Sequence, residues 1–429
     1  MSILNVNKIN PVGGGSTITI AGIASVTSSV TAPSFVGAVT GNVTGNVTGN
    51  ADTASGLSGN PSINTTGIVT ATSFVPTVGQ LSHRNKVING AMNICQRATS
   101  ENNISASGYY VADRFNINMV NVGSFRTNLF QSSQSPDGFN NSLGVSIGTA
   151  GAIASSERVS LEQRIESQDL QDLAFGTSAA KSFTLSFYVR SSRTGQYGIN
   201  MRQHDSGKDY NEKFDISSAN TWERKIITVT GNTGDTFADD NGIGLWFRIM
   251  LRAGSNSVGN VNYQSWGSSD ADKAPTGQQT TWGTDASDDF YLTGVQLEVG
   301  SVATPFEHRS YGDELRRCHR YFFNIQGSNG YRTGISCYAN SSSACRGVVY
   351  FPAPMRDNPT FTGSATAMVF DSAQDSASFN VNTISSSVAN TNALYNRAFL
   401  EVSTSSMTAG QAGQLEFRAT GFMNFSAEL

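Results

Sequence analysis

Residues Tyr291 to Phe323 read Tyr-Leu-Thr-Gly-Val-Gln-Leu-Glu-Val-Gly-Ser-Val-Ala-Thr-Pro-Phe-Glu-His-Arg-Ser-Tyr-Gly-Asp-Glu-Leu-Arg-Arg-Cys-His-Arg-Tyr-Phe-Phe. The first nine alternate as a strand does, with Tyr291, Thr293, Val295, Leu297 and Val299 on one face and Leu292, Gln296 and Glu298 on the other. Gly300 and Pro305 break that strand. Asp313 and Glu314 then open a short helical run that ends in Arg316, Arg317 and Arg320, the charge order a helix dipole favours. Tyr311, Leu315, Cys318 and Phe322 follow at spacings of four, three and four and form one narrow apolar seam. The stretch closes one β domain and passes the chain, through a single helix, to another.

Composition agrees with a mainly β chain. Of 429 residues, 14% are charged and 43 are glycine, which suits short strands joined by many turns and argues against long solvated helices. Such a length implies about two to four domains. The net charge is −4 and basic residues are scattered, so no stripe exists to neutralise a phosphate backbone and no nucleic-acid partner is expected. The four histidines are dispersed and the four cysteines (Cys95, Cys318, Cys337, Cys345) show no metal-ligand spacing, so no metal and no cofactor is expected. Cys337 and Cys345 could bridge, but free buried thiols suit a chain made in a reducing cytoplasm. The N-terminal residues lack a signal-peptide core and no apolar run reaches membrane-spanning length, which predicts a soluble chain without membrane insertion.

Residues 1–80 carry only Lys8 and Asp52 as charged side chains. They repeat Gly41-Asn42-Val43-Thr44, Gly45-Asn46-Val47-Thr48 and Gly49-Asn50-Ala51-Asp52, and a looser repeat places Ser34-Phe35-Val36 against Ser73-Phe74-Val75. One apolar residue in four buries too little surface to offset chain entropy in a single chain. The segment is therefore either disordered or wound together with other copies. Its Val and Thr content and near absence of charge favour an elongated, intertwined β shaft.

Charged and aromatic residues appear together from Leu81. Val159, Leu161, Gln163 and Ile165 alternate with polar neighbours, as do Phe183, Leu185, Phe187 and Val189, and Ile243, Leu245, Phe247, Ile249 and Leu251. Many strands without intervening helices predict two packed sheets, with a jelly-roll as the expected version over 81–306. Exposed aromatics beside polar groups are what a pyranose needs, because sugar faces are apolar and their rims are hydroxyls. Trp246 and Arg248 lie opposite the apolar row of their strand, and Trp266 and Trp282 lie in a long polar stretch from Ser255 to Asp289, so these four are the candidate glycan ligands. For Trp246 and Arg248 the alternative is a face covered by a loop or another subunit. For Trp266 and Trp282 it is a ring that anchors its own loop. Trp222, at a strand start, reads as core. Asp239-Asp240 and Asp288-Asp289 are carboxylate pairs, yet adjacent strand residues point to opposite faces, so turn chemistry or calcium coordination explains them as well as catalysis does or better, and no catalytic residue is expected.

The last domain, 324–429, returns to strands. Gly347 to Phe361 contains three prolines and reads as an edge strand running into a turn. Tyr331, Tyr338, Tyr350, Tyr395 and Phe399 read as core in this knob, although each is able to serve a surface.

Three strings within the opening stretch carry a resemblance: Val295–Gly300, Ala303–Arg309 and Glu314–Phe322. Together with Lys86–Arg97, Tyr110–Phe115, the Pro352-Ala353-Pro354-Met355-Arg356 run and the final Phe425–Leu429, they resemble bacteriophage tail-fibre proteins, including those of marine cyanophages. Phe115 is here the aromatic that the family usually has after Asp-Arg, and Cys95 stands where the family often has Trp. The resemblance implies a homotrimer on a virion tail, made in the host cytoplasm, with residues 1–80 joined to other tail or baseplate proteins. The Tyr311–Leu315–Cys318–Phe322 seam, over a connecting segment 307–323, would then meet its copies at the trimer axis or lie against its own sandwich. The implied function is attachment to host-surface polysaccharide without chemistry. A polysaccharide-degrading tailspike and a purely structural head or baseplate fibre are the alternatives.

Overall fold

The computed structural model describes residues 82–259, 262–268, 273–327, 334–373, 378–387, 396–417 and 421–429. All belong to one unit, Phe74–Leu429. The shaft expected over 1–80 lies outside the described residues, as do Tyr331 and Tyr395.

Twelve strands build the first half: β1 (Ser100–Ile104), β2 (Asn116–Val120), β3 (Arg126–Ser132), β4 (Ser142–Thr149), β5 (Arg158–Glu166), β6 (Phe183–Ser191), β7 (Gly195–Gln203), β8 (Lys208–Ile216), β9 (Glu223–Val229), β10 (Ile243–Ala253), β11 (Gly267–Ser268) and β12 (Asp289–Val299). They form two six-stranded antiparallel sheets, in the orders β1-β3-β4-β12-β6-β9 and β11-β8-β7-β10-β5-β2. Only β3–β4 and β7–β8 are sequential neighbours within a sheet, and every other connection except β10–β11 crosses between sheets. That shuttling is a jelly-roll-type sandwich. The alternating rows read from sequence supply its interior: Phe183, Leu185, Phe187 and Val189 on β6 and Leu245, Phe247, Ile249 and Leu251 on β10 are fully buried in one core.

The opening strand departs from its simple alternation. The pairing of β12 with β6 shifts register between Thr293 and Gln296, and Gly294 adopts a positive φ of 62°. This is a β-bulge, which one glycine inside a strand pattern signals. The extra residue flips the faces, so Phe290 and Leu292 enter the core before the bulge and Val295 and Leu297 after it. Tyr291 and Thr293 therefore do not share the core face with Val295, contrary to the strict period of two. Tyr291 instead packs outside the core, edge-on to Phe130 at 5.9 Å and to Trp222 at 6.3 Å. Trp222 precedes β9 and is half-buried there rather than in the core.

The helix α1 spans Tyr311–His319 and is shorter than the expected 307–323 segment. Ser310 caps it by accepting from the Asp313 N–H at 3.2 Å. Phe322 is not on the helix but opens the next strand. Cys318 and Phe322 are buried within this chain, Leu315 is half-buried, and Tyr311 is 64% exposed. Half of the expected seam is thus already covered by the chain's own packing.

The knob holds β13 (Phe322–Gln326), β14 (Gly334–Ala339), β15 (Ala344–Tyr350), β16 (Thr360–Gly363), β17 (Met368–Ser372), β18 (Ser378–Asn380), β19 (Thr383–Ser387), β20 (Arg397–Ser403), β21 (Ala412–Phe417) and β22 (Phe422–Ser426). A three-stranded sheet, β13-β22-β16, and a seven-stranded sheet, β18-β17-β21-β14-β15-β20-β19, enclose a second core around Phe370, Leu400, Leu415 and Phe425. All four cysteines are free, and Cys318, Cys337 and Cys345 are buried. Polar contacts join the knob to the sandwich: Arg320 grips Glu166 through two bonds of 2.7 and 2.6 Å, and Tyr321 donates to the same carboxylate at 2.5 Å. No helix among the described residues is long and apolar enough to cross a membrane.

Candidate functional site

The outer face of the β11-β8-β7-β10-β5-β2 sheet carries Trp246 and Arg248, but much of it is occupied by the chain itself. The stretch after β10 folds back across it. The Gln278 side chain accepts from Gly198 N–H at 2.6 Å and donates to Met250 O at 3.1 Å, while Val258 and Ala274 cover Met250 and Ala253. Beside it, Glu162 accepts from Arg248 at 3.0 Å and from Arg164 at 2.8 Å. Arg248 is only 3% exposed and is consumed by this ion pair, so it is not a free ligand for sugar.

Trp246 is half-buried and ringed by cations. The guanidinium of Arg248 lies 4.1 Å from its ring centre, those of Arg164 and Arg202 at 5.2 and 5.6 Å, and the His204 ring at 5.5 Å. Its neighbours across the sheet are fixed by register, since Trp246 pairs with Arg164 on β5 and Arg202 on β7. Its indole N–H is buried without a hydrogen-bond acceptor. The cluster can stabilise the sheet through cation–π contact, and it leaves one donor for a ligand oxygen or water.

The other two tryptophans anchor loops. Trp282 is fully buried, donates to Asp289 O at 3.1 Å and meets Phe125 edge-on at 6.3 Å. Full burial removes it as a sugar platform. Trp266 is half-buried, donates to Thr230 O at 2.7 Å and packs edge-on against Phe175 at 5.6 Å. The carboxylate pairs serve turns: Asp240 accepts from Gly242 N–H at 2.9 Å, and buried Asp288 accepts from Gly283 N–H at 2.9 Å and Arg193 at 2.5 Å. Among the described residues no group of three potential ligands could hold a metal ion.

A different surface gathers exposed aromatics. On β14, β15 and β20 the inward positions Ile335, Cys337, Cys345, Val349, Leu400 and Val402 form core, so the alternate positions face out. Register then builds adjacent rows: Tyr338 opposite Arg346, which pairs with Glu401, and Val348 opposite Phe399, with Tyr350 opposite Arg397. Tyr338 is 52% and Tyr350 69% exposed, and Phe399 is half-buried. The core reading of these two tyrosines is overturned. They line a groove of about 590 Å³ with Ser336, Val348 and Phe399, and the Arg346–Glu401 ion pair of 3.2 Å borders it. Period-two alternation around Cys337 and Val349 was the signal that could have placed Tyr338 and Tyr350 outside.

No protein-family model matches the chain, and no curated protein does. Solved structures that resemble it include the carbohydrate-binding module TmCBM61 in complex with β-1,4-galactotriose, at 8% identity and a TM-score of 0.25, covering 50% of this chain and 99% of that one. A family 11 carbohydrate-binding module from Clostridium thermocellum, solved with a mixed-linked tetrasaccharide, has 11% identity and a TM-score of 0.24, covering 49% and 98%. The enzymatically active domain of tailspike protein 4 from bacteriophage CBA120 has 10% identity and a TM-score of 0.25, covering 50% and 21%. Scores at this level add nothing to the sandwich, which stands on its strand order and its core.

Proposed function

We propose that this chain is a virion fibre protein that attaches to host-surface polysaccharide and does not cleave it. The observation that carries the reading is the knob groove, where Tyr338, Tyr350 and Phe399 offer ring surface to solvent beside hydroxyl, guanidinium and carboxylate groups. Ring faces take the apolar face of a pyranose, and the flanking polar groups take its hydroxyls. The resemblance of the junction and the chain's final residues to tail fibres supplies the setting. Three copies would convert weak single-groove affinity into firm attachment.

The test is retention of the full chain on envelope polysaccharide from candidate hosts, with released reducing ends measured in the same sample. Retention without release, weakened roughly tenfold by Tyr338→Ala/Tyr350→Ala, is the expected result. Release of reducing ends would move the function to depolymerisation. Unchanged retention by the double variant would remove the knob groove from the site.

A further inference from the structure

A second concavity lies where the sandwich, helix α1 and the knob meet. This cleft of about 650 Å³ is lined by Arg309, Arg316, Arg317 and Arg320, by His83 and His308, and by only two acids, Glu307 and Asp313. Both acids are already engaged. Glu307 accepts from Asn85 N–H at 2.9 Å, and Asp313 accepts from the Ser310 hydroxyl at 2.7 Å. Two of the cations are engaged as well, Arg320 with Glu166 and Arg309 with Glu314 at 3.2 Å. Arg316 and Arg317 remain, side by side on the last turns of α1, with no ion pair among the described residues. Asp169, exposed on its own turn, acts on Arg317 and Arg320 through its charge but makes no ion pair with Arg316 or Arg317 among the described residues.

One rim of the cleft is the exposed ring of His308, which aromatics outside the lining support from behind. The His308 ring meets Phe306 at 4.9 Å and Phe139 at 5.3 Å, and Phe139 continues to Tyr188 at 5.4 Å. The exposed His308 ring offers a sugar bearing a carboxylate or sulfate a flat face beside the guanidinium charge. The sugar's ring lies against His308 and its charge meets a guanidinium fork.

We propose that this cleft binds an acidic saccharide, a uronic acid or sulfated sugar, with Arg316 and Arg317 as the residues that read its charge. The proposal rests on the polysaccharide reading above and adds to it a second site and a charge preference. A purely structural role is the competitor, because basic residues at a helix C-terminus also offset the helix dipole.

The full chain is titrated with oligogalacturonate and with the same oligomer fully methyl-esterified, which keeps the sugar and removes the charge. The native protein should bind the acid form about tenfold more tightly at low salt, and salt should erase the difference. Arg316→Gln/Arg317→Gln, checked for native circular dichroism, should bind both forms alike. Inorganic sulfate should compete with the acid oligomer and not with the ester, and this arm needs no variant. No acid preference in the native chain, a preference surviving in the double variant, or binding of neither oligomer overturns the proposal. Failure of the knob groove would show separately, as Tyr338→Ala/Tyr350→Ala leaving retention on envelope polysaccharide unchanged.

Discussion

Arg114 of the sandwich and Glu428 of the knob form an ion pair inside the seam between the two, with side chains 1% and 7% exposed. The same carboxylate takes Arg97 at 3.0 Å. The Arg114 guanidinium also lies 3.4 Å from the Tyr321 ring centre and donates to Arg164 O at 2.7 Å. Burial alone lowers the pKa of Arg114, but Glu428, Tyr321 and Tyr109 outweigh it and keep the group charged. Arg164 and Tyr109 reach Leu429 O, so the last two residues are held by groups from the sandwich.

Glu428→Ala should therefore cost about 3–5 kcal/mol, because it strands a guanidinium in a dry seam rather than removing a surface contact. Arg114→Met/Glu428→Leu, which removes both charges and keeps volume, should cost much less. Urea midpoints of the full chain measure both. A Glu428→Ala loss under about 1 kcal/mol would show that the seam is wetter than the geometry implies.

Asp113 makes stability depend on pH. Burial, the largest influence, raises its pKa to about 6, against the opposing pull of Arg97 and of two bonds from Gln96 at 3.0 and 2.5 Å. A raised carboxyl pKa means the folded state prefers the protonated form. Its contribution is fully present below the ordinary carboxylate pKa of 3.8 and is lost as pH rises through about 6. The swing is about 3 kcal/mol at most. Asp113→Asn should flatten the difference in urea midpoint between pH 4 and pH 7 relative to the native chain. An identical slope in the variant would assign the pH dependence to other groups.

The sandwich was legible because its core strands keep strict alternation, as Phe183 to Val189 and Leu245 to Leu251 do. The site was less legible for a physical reason. Alternation tells which residues point away from a core, not what then covers them. Trp246 and Arg248 do point away, yet Glu162 and the returning stretch at Gln278 occupy the space beyond. Trp282 sits in an apparently polar loop but closes it by full burial, because one indole outweighs several small polar neighbours. In the knob the error ran the other way, and Tyr338 and Tyr350 were open.

Trp282→Ala and Trp246→Ala should separate these two environments. Removing the fully buried Trp282 leaves a cavity beside Phe125 and takes one of several donors from the Asp289 carbonyl, at a cost of about 3–5 kcal/mol. Removing half-buried Trp246 loses cation–π contacts at about 1 kcal/mol. Thermal unfolding of the two variants under one condition checks the order. Equal losses would mean that the cation ring around Trp246 is a core in its own right.

Gly294 offers the sharpest test of the bulge that reverses the faces of β12. Its φ of 62° disfavours any side chain, and a Cβ there would lie 2.7 Å from Phe139 and 2.9 Å from Tyr188. Gly138 also has a left-handed φ, 89°, yet a Cβ on it meets no atom within 4 Å. Gly138→Ala thus reports the backbone penalty alone, about 1–2 kcal/mol. Gly294→Ala adds displacement of two rings from the outer face and should cost at least about 1 kcal/mol more. It should also speed amide exchange at Val295, whose N–H bonds to Gly90 O at 2.9 Å just past the bulge. Equal losses from the two alanines, with Val295 exchange unchanged, would mean that the rings move aside freely. The flip between Leu292 and Val295 would then depend on the glycine's backbone alone.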